Sequence, residues 1–398
     1  MTDVRILGTG AYVPDRIVSN DEVGAPAGVD DAWITAKTAI RERRWAAAHQ
    51  ATSDLATHAA RNALQSAGIT PAELSTIIVA TSTPDRPDRI VSNDEVGAPA
   101  GVDDAWITAK TAIRERRWAA AHQATSDLAT HAARNALQSA GITPAELSTI
   151  IVATSTPDRP QPPTAAYVQH NLGATHAAAF DINAVCSGEI FALNAAEGTL
   201  ARKGGHALII GADLYSRILN PTDRKTTVLF GDGAGAIILG PATTGPRIRH
   251  LTLHTFAEHH DLIQVPAGGS RQPTTTHTLQ NNQHYFTMDG RGVRQFVADH
   301  LPRLTKEFLH EAGTVPDDIR HFIPHQANGV MLDALFTELA LPHATMHQTL
   351  HTYANTGAAS IPLTLDTAHR NHALHPGDLV LLAGFGGGMA AGLALIEW

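Results

Sequence analysis

DINAVCSGE (181–189) holds the one cysteine of a 398-residue chain, at the point where a strand-like run turns into a helix. A thiol at a helix N-terminus meets the positive end of the macrodipole and free backbone N–H groups, which favour the thiolate. Taken alone, Cys186 has a second reading as a small core side chain, because free cysteine is among the most buried residue types. Further along, His325 in FIPHQAN (322–328) and Asn355 in YANTGAAS (353–360) stand at the ends of short apolar runs, where a strand hands its next residue to a site. A cysteine, a histidine and an amide side chain are the parts that acyl transfer through a thioester needs.

Residues 15–87 and 88–160 are the same 73 residues without one difference. Repeat architectures show weak self-similarity at short periods and need three or more units to build a core, so two identical long copies do not make a solenoid. One copy is read as surplus. Without it the chain has 325 residues, the length of one large or two medium domains. Either copy meets Pro14 and Gln161 with the same local sequence, so the sequence does not say which is native. One strand position cannot hold two identical strands, and one copy is expected to be loosely packed or displaced.

Composition sets outer bounds. With 43% hydrophobic and 17% charged residues the chain has material for a core, and its net charge of −9 offers no long basic tract for nucleic acid. Arg41, Arg43 and Arg44 in RERR have two readings, a guide for a phosphate-bearing ligand or a solvated face. One cysteine excludes an internal disulfide framework, and no basic start followed by an apolar stretch marks secretion, so the cytoplasm is expected. LVLLAGFGGGMAAGLALI (379–396) imitates a membrane span, but Gly384, Gly386, Gly387 and Gly388 divide it into two strand-length pieces. No membrane association is expected. The 23 histidines, including His259, His260, His321, His343 and His347, show no metal-ligand spacing.

The remainder alternates. VRILGTGAYVP (4–14) reads as strand then turn, and SDLATHAARNALQSAG (53–68 and 126–141) as a helix with a Ser/Asp cap and a terminal glycine. LSTIIVATST (147–156) and HALIIGAD (206–213) read as buried strands, with a helix from Cys186 to about Lys203 between them. TTVLFGDGAGAIILG (226–240) reads as two strands around a glycine turn. Residues 292–313, 328–340 and 358–370 read as helices, the first despite Pro302, and 317–328 runs into a strand. Such alternation implies mainly parallel sheets covered on both faces, in two halves of similar order, 1–243 and 244–398.

Together these motifs carry a resemblance. SNDEV with DAWITAKTAIRERR, IIVATSTPD, FDINAVCSG, NPTDRKTTVLFGDGAGA, FTMDGRGV, IPHQAN, YANTGAASIPLTL and GFGGGMAAG, in this order, resemble the 3-oxoacyl-acyl-carrier-protein synthase III family of the thiolase-like superfamily. The resemblance covers the chain apart from one copy and implies an α/β, five-layered αβαβα fold of two similar halves, a homodimer, and reacting groups where the halves meet. It implies that Cys186 accepts the acyl group from an acyl-coenzyme A. His325 and Asn355 would stabilise the enolate of a decarboxylating malonyl thioester. The backbone N–H groups of Cys186 and Gly387 would form a second oxyanion hole, where glycine allows close approach. Trp33 or its duplicate Trp106, with Arg224, would flank the adenine of coenzyme A, and Asn328 would border the pantetheine arm. Coenzyme A enters as substrate, and no metal or other cofactor is expected.

Three departures bear on specificity. Val330 stands where the family carries an arginine that docks the acidic carrier protein in malonyl-acyl carrier protein. Lys37 and Ala39 replace an arginine and a glycine. Glu189 follows CSG where an apolar residue is common, either as a surface or helix-start carboxylate or as a group facing the acyl tunnel. They point to a specialised enzyme serving a polyketide or other secondary product. Three functions stay open: decarboxylative condensation, acyl transfer to a carrier or small acceptor, and a non-catalytic synthase partner.

Overall fold

The computed structural model describes residues 16–25, 29–38, 41–45, 61–62, 65–66, 89–241 and 245–398. The expected strand at 4–14 and most of the first-copy helix at 53–68 lie outside these residues. The chain divides into two compact units, Met1–Thr83 and Pro84–Trp398. In the first, β1 (Arg16–Ser19) pairs antiparallel with β2 (Glu42–Trp45), and helices Asn20–Gly24 and Asp31–Thr38 lie between them in sequence. The second repeats this unit with the other copy: β3 (Arg89–Ser92) pairs with β4 (Glu115–Trp118) around helices Asn93–Gly97 and Asp104–Thr111.

Two sheets organise the larger unit. The first runs β6 (Ala178–Ile182), β5 (Leu147–Ala153), β7 (His206–Leu214), β8 (Asp232–Leu239), and its central strands LSTIIVA and HALIIGADL are apolar on both faces because helices cover both. After β9 (Arg247–Thr255) and a small β10–β11 pair (Ile263–Gln264, Thr287–Met288), the second sheet runs β13 (Thr345–Met346), β12 (Ile319–Pro324), β14 (Leu379–Gly386), β15 (Ala390–Glu397), β9. In both sheets the first three strands are parallel and the next pairs antiparallel. The sheets are thus mixed rather than nearly all parallel, since each half ends on a reversed strand.

Alternation along the strands sorts side chains into layers. Ile150, Val152, Leu208 and Ile210 pack with Ala129, Ala133, Leu137 and Val168, which belong to helices Thr125–Ala140 and Thr164–Leu172. Ile151 and Ile209 pack the other way, onto Ile190, Leu193, Ile361 and Leu365. Those four come from helices Gly188–Lys203 and Ser360–Arg370, which also meet Ile323, Val380, Leu382 and Ala394 of the second sheet. Phe322, Leu381, Leu393 and Leu395 face the opposite side and pack with helices Gly290–Glu311 and Gly329–Leu339. Helix, sheet, helix, sheet, helix is the five-layered αβαβα order expected from the resemblance. Each buried Ile or Leu contributes about 1.5–3 kcal/mol, so the shared middle layer couples the sheets strongly.

Two expected elements differ. Residues 226–240 hold one strand, β8, because Asp223 gathers the preceding segment into turns: its carbonyl accepts from Thr226 and Thr227 N–H, and its carboxylate from Lys225 N–H and the Thr226 hydroxyl. The helix at 126–141 starts at Thr125, where Asp127 accepts from the N–H of Ala124, while Ser126 bonds Asp158 instead of capping. The glycine-divided segment 379–396 is the β14–β15 pair, as expected.

Three alanines, Ala112, Ala340 and Ala354, occupy backbone regions that favour glycine. Ala112, the second-copy equivalent of Ala39, ends its helix at φ +61°, and Ala354 sits at φ +58°, ψ −159°. Ala112→Gly and Ala354→Gly are each expected to stabilise the fold by about 1 kcal/mol, read as a higher urea midpoint at unchanged slope.

Candidate active site

β6 delivers the chain to a tight turn. Val185, a β-branched residue, adopts φ +48°, a strained step that opens the turn Val185–Ser187 holding the buried Cys186 ahead of helix Gly188–Lys203. The glycine loop after β14 closes over it: a Cβ on Gly386 would lie 2.8 Å from the Cys186 nitrogen. Gly387 follows, packed against Val185 and Ile263. The Tyr215 hydroxyl lies 3.9 Å from the sulfur.

His325 continues β12, its N–H donating to Ala383 of β14 at 2.8 Å, and its ring meets Phe385 edge-on. Nδ1 lies 2.8 Å from the Ser360 hydroxyl, and the Gly357 backbone acts on the ring so as to favour its protonated form. Burial lowers its pKa to about 3, so the imidazole is neutral at working pH.

Asn355 is stitched to the other half. Its N–H donates to Leu229 and its carbonyl accepts from Gly231, both at 2.9 Å. The Oδ1 atom accepts the Gly357 N–H at 2.9 Å, which leaves the amide NH2 as the donor end. Gly357 therefore acts on both side chains. It sits at φ +59°, and a Cβ there would fall 2.2 Å from Asp213 Oδ2.

Asp213, at the end of β7, is fully buried and takes donors from both halves. Its Oδ1 accepts from Thr154, Ser155 and Thr156, and its Oδ2 from the Ala358 N–H at 2.9 Å. Burial raises its pKa despite these donors. The turn Val185–Ser187 packs against Gly357–Ala359, which brings the Cys186 turn to the segment that orients Asn355 and binds Asp213.

The cysteine differs from expectation in one respect. Burial first, then the Asp213 charge, push its pKa up to about 12, so the resting group is a thiol rather than the thiolate favoured by the helix end. The surface reading of Glu189 is also overturned: it stands in the first turn of helix Gly188–Lys203, as the helix-start reading expects, but is fully buried there, neither oxygen has a partner among the described residues, and burial raises its pKa to about 8.

Other expected residues spread outward. Arg224 lies over Trp106, its guanidinium 5.9 Å from the ring centroid, beside a cleft of about 470 Å³ lined by Ala98, Gly101, Val102, Asp103, Trp106 and Arg224. Trp33 belongs to the smaller unit and is 52% exposed. Asn328 caps helix Gly329–Leu339 by accepting from Met331 N–H, and its Nδ2 donates to the Lys110 carbonyl. Val330 is 53% exposed. His321 bonds His347 and Asp378, while His343 meets Asp317. Among the described residues, no cluster of three or more His, Cys, Asp or Glu could hold a metal ion, and no helix is long and apolar enough to cross a membrane.

Sequence reasoning missed Asp213, Tyr215, Ser155 and Ser360. Asp213 left one signal, a carboxylate closing an apolar strand. The hydroxyl residues left none, since serines and tyrosines are common in such positions.

Two family models match this chain: 3-oxoacyl-[acyl-carrier-protein] synthase III over residues 180–257, and the C-terminal part of that enzyme over 309–398. The acetoacetyl-CoA synthase NphT7 of Streptomyces sp. strain CL190 is 70% identical over 314 residues, 78% of this chain and 95% of that protein. The β-ketoacyl-[acyl-carrier-protein] synthase III of Erythrobacter litoralis is 43% identical over 316 residues, 78% of this chain and 96% of that protein. Among solved structures, the priming β-ketosynthase of the R1128 polyketide pathway matches with a TM-score of 0.72 at 30% identity, covering 78% of this chain and 93% of that one. Fold and site define a condensing acyltransferase of the thiolase-like type. The chain belongs to the 3-oxoacyl-[acyl-carrier-protein] synthase III family.

The buried groups set two pH dependences. Glu189 binds its proton more tightly folded than unfolded, so its contribution declines as pH rises from about 4.5 to about 8. Glu189→Gln is expected to match the parent near pH 4 and to exceed it at pH 8 by about 4 kcal/mol, measured by urea unfolding at both values. Iodoacetamide modification of Cys186 is expected to keep accelerating with pH up to 10; a plateau near pH 8 would restore the thiolate reading.

Proposed function

We propose that this ketosynthase III-type enzyme loads a starter acyl group from coenzyme A onto Cys186 and condenses it with a malonyl thioester. The observation that carries the reading is Gly357, whose backbone acts on both Asn355 and His325 while the turn that contains it packs on the Cys186 turn. In the first half-reaction the sulfur attacks the thioester carbonyl. Its oxygen would be held by the N–H groups of Cys186 and Gly387, the coenzyme A thiol leaves, and the thiol proton passes to that leaving group. In the second, the malonyl thioester loses carbon dioxide, and the Nε2–H of neutral His325 with the amide of Asn355 would stabilise the enolate oxygen. The enolate carbon then attacks the Cys186 thioester, and the 3-oxoacyl product departs as the sulfur leaves as a thiolate, which takes a proton from water to regain the resting thiol. A neutral pair of donors suits a charge that exists only between ground states.

Trp106 and Arg224 would hold the coenzyme A adenine, with Asn328 bordering the arm between cleft and sulfur. Val330 places an exposed apolar side chain where carrier docking calls for a cation. The relative named acetoacetyl-CoA synthase leaves its product on coenzyme A, and the same would follow here, with malonyl-coenzyme A as extender in place of malonyl-acyl carrier protein. A homodimer working in the cytoplasm on a polyketide or other secondary product completes the reading. The first 73-residue copy would be surplus to this chemistry, the catalytic halves being 1–243, less that copy, and 244–398.

Intact-protein mass spectrometry after incubation with acyl-coenzyme A thioesters is expected to show an adduct that Cys186→Ala abolishes. Adding malonyl-coenzyme A is expected to discharge it with release of carbon dioxide. An adduct that forms without carbon dioxide release would make the enzyme a transferase only, and no adduct would favour a non-catalytic partner. Val330→Arg is expected to raise turnover with malonyl-acyl carrier protein relative to malonyl-coenzyme A.

A further inference from the structure

We propose that Ser360 is a positioning residue for decarboxylation, whose hydroxyl holds the His325 imidazole in the tautomer with hydrogen on Nε2. The inference rests on the reading of His325 as an enolate donor and adds the group that makes it one. Ser360 and His325 are both buried, and Oγ lies 2.8 Å from Nδ1. The direction of this bond follows from the other contact of the same oxygen. Ser360 Oγ accepts the Gln326 N–H at 3.3 Å, and these two groups are its only partners among the described residues. Were Nδ1–H to donate to Oγ as well, the serine proton would be buried without an acceptor, a loss of about 1–3 kcal/mol. With the hydroxyl donating to Nδ1, every group is satisfied.

A neutral imidazole carries one ring proton, and Nδ1 accepts from Ser360, so Nε2 carries it. The Gly357 backbone acts on the ring so as to favour its protonated form, while its N–H orients Asn355 through Oδ1. Ser360 also opens helix Ser360–Arg370, whose positive N-terminal end disfavours an imidazolium beside it. Hydroxyl and helix end thus act together, one setting where the proton sits and the other helping to exclude a second. Neither role requires contact with Cys186, so loading and decarboxylation separate.

The test measures the half-reactions apart: loading of Cys186 by mass spectrometry, and carbon dioxide release from malonyl-coenzyme A on the loaded enzyme. In Ser360→Ala the release rate is expected to fall about tenfold while the loading rate stays within about twofold, and Ser360→Thr, which keeps the hydroxyl, is expected to recover most of it. Equal loss in both half-reactions, or no loss in release, would overturn the role. Nitrogen NMR of the parent enzyme, with the His325 signal identified from a His325→Ala sample, is expected to show Nδ1 unprotonated. A protonated Nδ1 would overturn the proposal even if the serine variants fail to fold. Carbon dioxide release retained in His325→Ala would instead defeat the underlying reading of His325.

Discussion

Asp213 is the joint around which the site is assembled. Its carboxylate ends a strand of the first sheet and accepts hydrogen bonds from the segment after the neighbouring strand, Thr154 to Thr156, on one oxygen. Its other oxygen accepts the N–H of Ala358, which belongs to the second half of the fold. A buried carboxylate needs such donors because its desolvation is otherwise uncompensated. Those donors are hydroxyls and backbone N–H groups of Thr154 to Thr156 together with the backbone of the turn Gly357–Ala359, which packs on the Cys186 turn. The glycine at 357 follows from this constraint, since any side chain there would collide with the carboxylate. Fixing Gly357 in turn fixes Asn355 through Oδ1 and steadies the ring of His325.

The same burial that makes this joint effective also removes charge from the reacting groups. The Cys186 sulfur stays protonated, the imidazole stays neutral and Glu189 binds a proton up to about pH 8. On the proposed reading, what acts on the substrate is a set of oriented dipoles, namely backbone N–H groups, an amide and an imidazole. Such a setting does little for a neutral thioester in its ground state and much for an oxyanion, because the dipoles are already aligned when the charge appears. The Asp213 charge acts against the thiolate, which places its value in architecture rather than in activating the nucleophile. Glu189 has no partner to explain its presence in the middle layer. Its cost is the clearest conflict between local sequence and fold in the molecule.

Much of the architecture was legible because apolar periodicity and chain punctuation report burial directly. The helix from 188 to 203 ends at the two glycines that mark it, and the run at 379–396 divides where its glycines do. The five layers came from the ordered motifs, and alternation along β5 and β7 then places each side chain in its layer. Elements held by side chains were harder to see. The turns after Asn220 depend on which oxygen of Asp223 meets which N–H, and no periodicity encodes that. Cys186, His325 and Asn355 could be picked out because their residue types are chemically suggestive at strand ends. Asp213 and Ser360 escaped because their meaning lies in partners more than 30 residues away. The thiol's protonation was misread for a related reason: the helix terminus is visible in sequence, while the depth of burial and a carboxylate 27 positions downstream are not.

The duplicated segment separates local from global encoding within one chain. In both copies the same four-residue strands pair in the same register, Arg16 with Trp45 and Arg89 with Trp118. In both, the serine that closes the first strand caps the next helix. The asparagine after it donates to the aspartate eleven residues on, at 2.7 Å in one copy and 2.8 Å in the other. This motif is therefore specified by its own residues: a cap, a buried amide and a short hairpin. What local sequence does not supply is the use to which the motif is put. The second copy packs Val91, Val96 and Ile107 against Val228, places Trp106 beside Arg224 and sends Arg116 to the carbonyl of Val228. Those partners come from residues more than a hundred positions away and occur once in the chain. An identical sequence can repeat the fold of the motif, but a set of partners present once can complete only one cleft.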